Sequence, residues 1–69
     1  MTQKELSYYE DAVGHEMNII KILEESVKNI SDNTLLEFLE NELSLHNNRK
    51  DKLINLMENL VNEWSTYNG

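Results

Sequence analysis

Two histidines and several glutamates are the residues of this 69-residue chain whose types and spacing could bind a metal ion. Glu16 and His46 interrupt otherwise apolar helical patterns, with His15 and Glu42 close beside them. Helical bundles build metal centres from inward-facing glutamates and from Glu-x-x-His pairs. Leu43 stands where such a pair would need its glutamate, and Glu42 is displaced from that position by about 100° around a helix. The motif is therefore incomplete.

Two interpretations of these residues remain open. In the first, two copies of the chain gather Glu16, His46, His15 and Glu42 around an iron or zinc ion. In the second, Glu16 and His46 form a buried hydrogen bond that fixes helix register, and no cofactor is needed. We favour the hydrogen-bonded pair because Leu43 breaks the metal-binding motif.

No residue pattern points to catalysis. The chain contains no cysteine, no glycine-rich phosphate loop and no serine in a nucleophile-elbow context. A chain of this length also offers little concave volume for a substrate. We therefore expect that the protein is not an enzyme.

The net charge of −7 argues against nucleic acid or an anionic membrane surface as a partner, because like charges repel. No apolar run approaches the roughly 18–20 residues of a membrane span. Residues 1–10 are polar and lack the apolar core of a signal peptide, so we expect synthesis in the cytoplasm.

The chain predicts two long helices joined by a short turn. It has no proline, and the polar residues 31–34 favour a turn and a helix N-terminus. We expect helix 1 over about residues 3–30, a turn over 31–33 and helix 2 over about 33–64. Residues 2–64 then form one all-α domain, and residues 65–69 a frayed tail. Possible caps are Thr2 with Glu5, Thr34 with Glu37, and Ser31 or Asp32.

Apolar residues recur in alternating steps of three and four along both helices, which predicts an antiparallel two-helix hairpin. In this register Glu16 and His46 face one another near mid-height. The seam residues are Leu6, Tyr9, Val13, Glu16, Ile20, Leu23, Val27 and Ile30 in helix 1, and Leu36, Leu39, Leu43, His46, Lys50, Leu53, Met57, Leu60 and Trp64 in helix 2.

A second apolar stripe lies beside each seam, and a lone hairpin can cover only one stripe per helix. The second stripe could simply widen the core face of a monomer, or it could be an interface; we favour the interface. Monomers avoid large exposed apolar patches, so we expect two hairpins to close into a four-helix bundle. The homodimer would bury Tyr8, Ala12, Ile19, Ile22, Leu35, Phe38, Leu45, Ile54 and Val61 as its interface.

The segment Lys4-Glu5-Leu6-Ser7-Tyr8-Tyr9-Glu10-Asp11-Ala12, followed by Gly14-His15-Glu16, resembles the spore coat protein F family of endospore-forming bacteria. The pair Ile20-Lys21, Asp32 before the second helix and His46 near its middle extend the likeness over about residues 4–57. The resemblance implies a ferritin-like helical fold. It also implies a structural protein made in the mother cell and assembled on the spore coat, with other coat proteins as further partners.

Two alternative functions accompany this expectation. One is a ferritin-like metal-binding dimer with a weak oxidase or storage role, resting on Glu16, His46, His15 and Glu42. The other is a small regulatory hairpin that docks on a signalling protein. The Ser-x-x-Leu-Asp motif of the two-helix phosphatases that act on sporulation regulators is absent from the second helix, so we rank it last.

Overall fold

The computed structural model describes residues 2–68 of the chain and the side chains of residues 2–64. Two helices account for nearly all of it: α1 spans Gln3–Asn29 and α2 spans Asn33–Asn68. They pack against each other as an antiparallel hairpin, which confirms the fold predicted from the apolar spacing. No helix within the described range is both long enough and apolar enough to cross a membrane.

Side-chain caps set where both helices begin. Thr2 Oγ1 accepts the backbone N–H of Glu5 at 3.1 Å, and the Glu5 carboxylate accepts the N–H of Thr2, which completes a capping box. Asp32 Oδ1 accepts the N–H of Leu35 at 2.8 Å and so caps α2. The alternative capping box from Thr34 is wrong, because Asp32 already starts the helix at Asn33 and places Thr34 inside the first turn.

The helix ends differ slightly from expectation. α1 stops at Asn29, one residue early, because Ile30 takes an extended conformation with φ −111° and ψ 131°. α2 continues to Asn68, past the end expected at Trp64, since no proline or glycine interrupts residues 65–68. The last residue of the predicted frayed tail, Gly69, lies outside the described residues.

The hairpin is a narrow rod with principal extents of 53 × 15 × 12 Å. Its length matches α2, because 36 residues at about 1.5 Å each span about 54 Å. Only Ile20 and Glu16 are buried among the described side chains. Every other seam residue named above is half-buried except Trp64, which is exposed and lies beside Thr2, Gln3 and Leu6 at the N-terminal end of α1. Two helices alone therefore enclose very little core.

Candidate functional site

The polar centre of the hairpin is the contact between Glu16 of α1 and His46 of α2. His46 Nδ1 lies 2.5 Å from Glu16 Oε2, as the antiparallel register predicts. The two side chains retain only 11% and 14% exposure, so both are largely withdrawn from water. Ile20 is the buried apolar neighbour one turn along α1 from Glu16. An ionised carboxylate can only accept a hydrogen bond, so His46 Nδ1 carries the donated proton.

The second ring nitrogen of His46 faces a different glutamate. His46 Nε2 lies 3.7 Å from Glu42 Oε2, one helical turn away on α2. This separation is too long for a hydrogen bond. The side chain of Glu42 is 36% exposed, so this carboxylate lies where the pair meets solvent. The imidazole of His46 therefore lies between two carboxylates, Glu16 at Nδ1 and Glu42 near Nε2.

The four residues predicted to bind a metal do not all come together. Glu16, His46 and Glu42 are neighbours, whereas His15 is exposed on α1. Since the two glutamates flank opposite nitrogens of His46, they do not converge on one point. Over the described part of the chain, no group of three or more histidine, aspartate or glutamate side chains is placed to hold a metal ion.

A broad apolar surface lies along one side of the hairpin, and we call it the open face. It comprises Tyr8, Ile22, Leu35, Phe38, Leu45 and Leu56, which are between 42% and 65% exposed. Each of these residues immediately precedes a seam residue, so all are rotated from the seam by about 100° in the same direction. Because the two helices are antiparallel, residues that precede seam positions in α1 and in α2 lie on the same side of the hairpin.

The structure refines the predicted interface list. Ala12 and Ile19 are half-buried at the edge of the open face, each one residue before a seam position. Ile54 and Val61 instead follow seam residues, so they lie half-buried along the opposite edge. Leu56, at 51% exposure, also belongs to the open face, and the predicted interface did not include it. Its position one residue before Met57 was the available signal.

The two sides of the hairpin carry different charged residues. The residues that follow seam positions form an acidic face with the exposed side chains Glu10, Glu24, Glu37, Glu40, Asp51 and Glu58. On the side of the open face, Glu42 is followed along α2 by Arg49 and Lys52. The acidic face also carries Lys21 and Lys28, and the side of the open face also carries Glu5 and Glu63. The excess of negative charge is therefore larger on the acidic face.

The comparisons with known proteins add no relative to this description. No family model matches the chain, and neither the search of curated proteins nor that of solved structures finds a match.

Proposed function

We propose that this protein is a structural assembly module whose open faces pair two copies into a four-helix bundle. The observation that carries the proposal is the open face itself, an apolar surface interrupted by Glu42, Arg49 and Lys52. It lies on a hairpin in which Ile20 and Glu16 are the only buried residues among the described side chains. Such a surface is typical of a protein–protein contact. The proposal assigns no catalytic reaction to the chain.

The accessible area of the hairpin supports a partner of the size of a second copy. The chain exposes 5432 Å². A compact monomer of 8.1 kDa would expose about 4500 Å². The excess of roughly 900 Å² is close to the roughly 800 Å² that each partner buries in a standard interface.

The distribution of charge also favours pairing through the open face. Two chains of net charge −7 repel each other at long range. Pairing through the open faces keeps the two acidic faces on the outside of the bundle, far from one another. It also brings Glu42 of each copy toward a surface that carries Arg49 and Lys52. Contact through the acidic faces would bring together six carboxylates from each copy, with only Lys21 and Lys28 to offset them.

We further propose that the bundle is a building unit of a protein layer of the spore coat type. The support is the resemblance of residues 4–16 to the coat protein F family, together with a fold suited to assembly rather than to substrate binding. In that setting the chain is made in the mother cell and meets other coat proteins through the outer faces of the bundle.

Sedimentation velocity of the wild-type chain and of two charge variants tests the self-association. We expect the wild type to sediment as a dimer and Leu45→Glu to shift to monomer, because Leu45 lies near the middle of the open face and is 42% exposed. Met17→Glu is the matched control. Met17 is 55% exposed but follows Glu16, on the side away from the open face, so this variant should remain dimeric.

Two results would contradict the proposal. One is a wild-type chain that stays monomeric at high micromolar concentration. The other is an equal loss of assembly in Met17→Glu and Leu45→Glu, which would mean that the open face has no special role.

A further inference from the structure

We propose that Glu42 and His46 of one chain, with the same two residues of a second copy, form a shared site for a divalent metal ion such as zinc. Glu16 acts as the positioning residue for His46 and does not contact the metal. This inference rests on the proposed self-association, since each chain supplies only half of the ligands.

The orientation of His46 is the first step. Histidines that bind metals commonly donate their other ring N–H to a carboxylate, which fixes the tautomer and the ring plane. His46 Nδ1 makes such a contact with Glu16 Oε2 at 2.5 Å. In an imidazole that carries one proton, on Nδ1, the lone pair that can bind zinc is on Nε2.

The spacing between Nε2 and Glu42 is the second step. His46 Nε2 and Glu42 Oε2 are separated by 3.7 Å. Two ligands bound to a tetrahedral zinc at about 2.0–2.1 Å lie roughly 3.3 Å apart. A small side-chain adjustment of Glu42 would therefore allow both atoms to bind one ion.

The position of Glu42 on the hairpin is the third step. Glu42 immediately precedes the seam residue Leu43, so it lies on the side of the open face, in one stripe with Phe38 and Leu45. Those two residues are exposed, at 57% and 42%. A second copy on the open face would approach this stripe. Two glutamates and two histidines would then complete the four-coordinate nitrogen and oxygen set that zinc accepts.

Zinc titration of the chelator-stripped chain, followed by calorimetry and by sedimentation with zinc or with chelator, tests the site. We expect one zinc per two chains and tighter dimers when zinc is present. Glu42→Gln should weaken zinc binding by more than the roughly 10–100-fold that is typical of a lost orienting residue, because it removes a ligand from each copy. It should leave the helical circular dichroism unchanged, since the Glu16–His46 contact remains.

Two further variants separate ligand, positioning and bulk charge. Glu16→Gln should keep one zinc per two chains with affinity reduced about 10–100-fold, as for other residues that orient metal ligands. Glu40→Gln, which removes a carboxylate from the acidic face, is the matched control and should bind zinc like the wild type.

Several outcomes would overturn the inference. One zinc per chain, or unchanged zinc affinity in Glu42→Gln, would exclude the shared site. A chain that dimerises in chelator but ignores zinc would overturn the metal site and leave the proposed self-association intact. A chain that stays monomeric with and without zinc would overturn both. Dimerisation only with zinc would support the site and show that the open faces alone do not hold two copies together.

Discussion

At the scale of single residues, the contact between Glu16 and His46 determines which hairpin register is favoured. A register slip would leave a nearly buried carboxylate facing apolar side chains, which is costly without a hydrogen-bond partner. The pair need not add net stability, because withdrawing two polar groups from water offsets much of their attraction. Its structural role is then to disfavour other hairpin registers, and substitutions can test this.

Replacing one partner and replacing both should have opposite consequences. His46→Leu removes the donor to the Glu16 carboxylate in an apolar seam, so we expect the free energy of unfolding to fall by about 1–3 kcal/mol. Glu16→Leu combined with His46→Leu makes the seam continuous, and the double variant should recover wild-type stability or exceed it. Urea denaturation of the two single variants and of the double variant gives the coupling energy. A double variant less stable than the wild type would show that the pair itself stabilises the fold.

Gly14 offers a second test at the residue scale. It lies within α1, its φ is not positive, and a Cβ added there would meet nothing within 4 Å. Gly14→Ala should therefore raise the free energy of unfolding by about 0.5–1 kcal/mol, measured by urea denaturation. Gly14 follows Val13 on the side away from the open face, so dimerisation should persist. Loss of the dimer in Gly14→Ala would mean that another helix packs against this side.

At the scale of elements, the connection between α1 and α2 depends on the chemistry of very few side chains. Asp32 caps α2 through the N–H of Leu35, and its carbonyl accepts the N–H of Leu36 at 2.9 Å. A negative charge at this position also interacts favourably with the N-terminal end of the helix dipole. The Asp32 cap fixes where α2 begins, and so which way His46 faces around the helix.

Removing this cap should destabilise the hairpin without changing its surface. We expect Asp32→Ala to lower the free energy of unfolding by about 1 kcal/mol, because the N–H of Leu35 loses its acceptor. Asp32→Asn keeps an acceptor oxygen and should retain most of the stability. Thr34→Ala, inside the first turn, serves as the control and should have a much smaller effect in thermal melts followed by circular dichroism. Equal losses in Asp32→Ala and Thr34→Ala would contradict the assignment of Asp32 as the cap.

The hairpin was predictable from the sequence because its seam repeats in steps of three and four over both helices. That spacing fixes which residues meet, so the Glu16–His46 contact followed from a count along the chain. The choice of cap was less certain, because Ser31, Asp32 and Thr34 all have suitable side chains and only the three-dimensional chain selects one.

The second stripe was harder to assign because a residue beside the seam can lie on either side of it. Leu45 precedes His46, whereas Ile54 follows Leu53. Leu45 and Ile54 therefore lie on opposite sides of the hairpin although both are next to the seam. The direction of Glu42 relative to His46 also depends on side-chain rotamers, which spacing alone does not determine.

At the scale of the whole molecule, the hairpin buries a smaller fraction of its surface than a domain of this size usually does. An unfolded chain of 8.1 kDa would expose about 11,700 Å², of which the hairpin still exposes 5432 Å². It therefore hides just over half, below the roughly 60% that is usual for domains of this size. Residues that two helices cannot cover are available to a second pair of helices, so folding and association should be coupled.

Coupling of this kind makes the melting temperature depend on protein concentration, since dilution favours separate chains. For the wild type, a 100-fold increase in concentration adds about 2.7 kcal/mol to the dimer, which corresponds to a rise of roughly 5–10 °C for two 69-residue chains. Leu45→Glu should melt at a lower temperature that does not change with concentration, whereas Met17→Glu should keep the wild-type slope. Differential scanning calorimetry across that concentration range measures all three. A wild-type melting temperature that is independent of concentration would mean that the hairpin folds alone and that its open face serves a different partner.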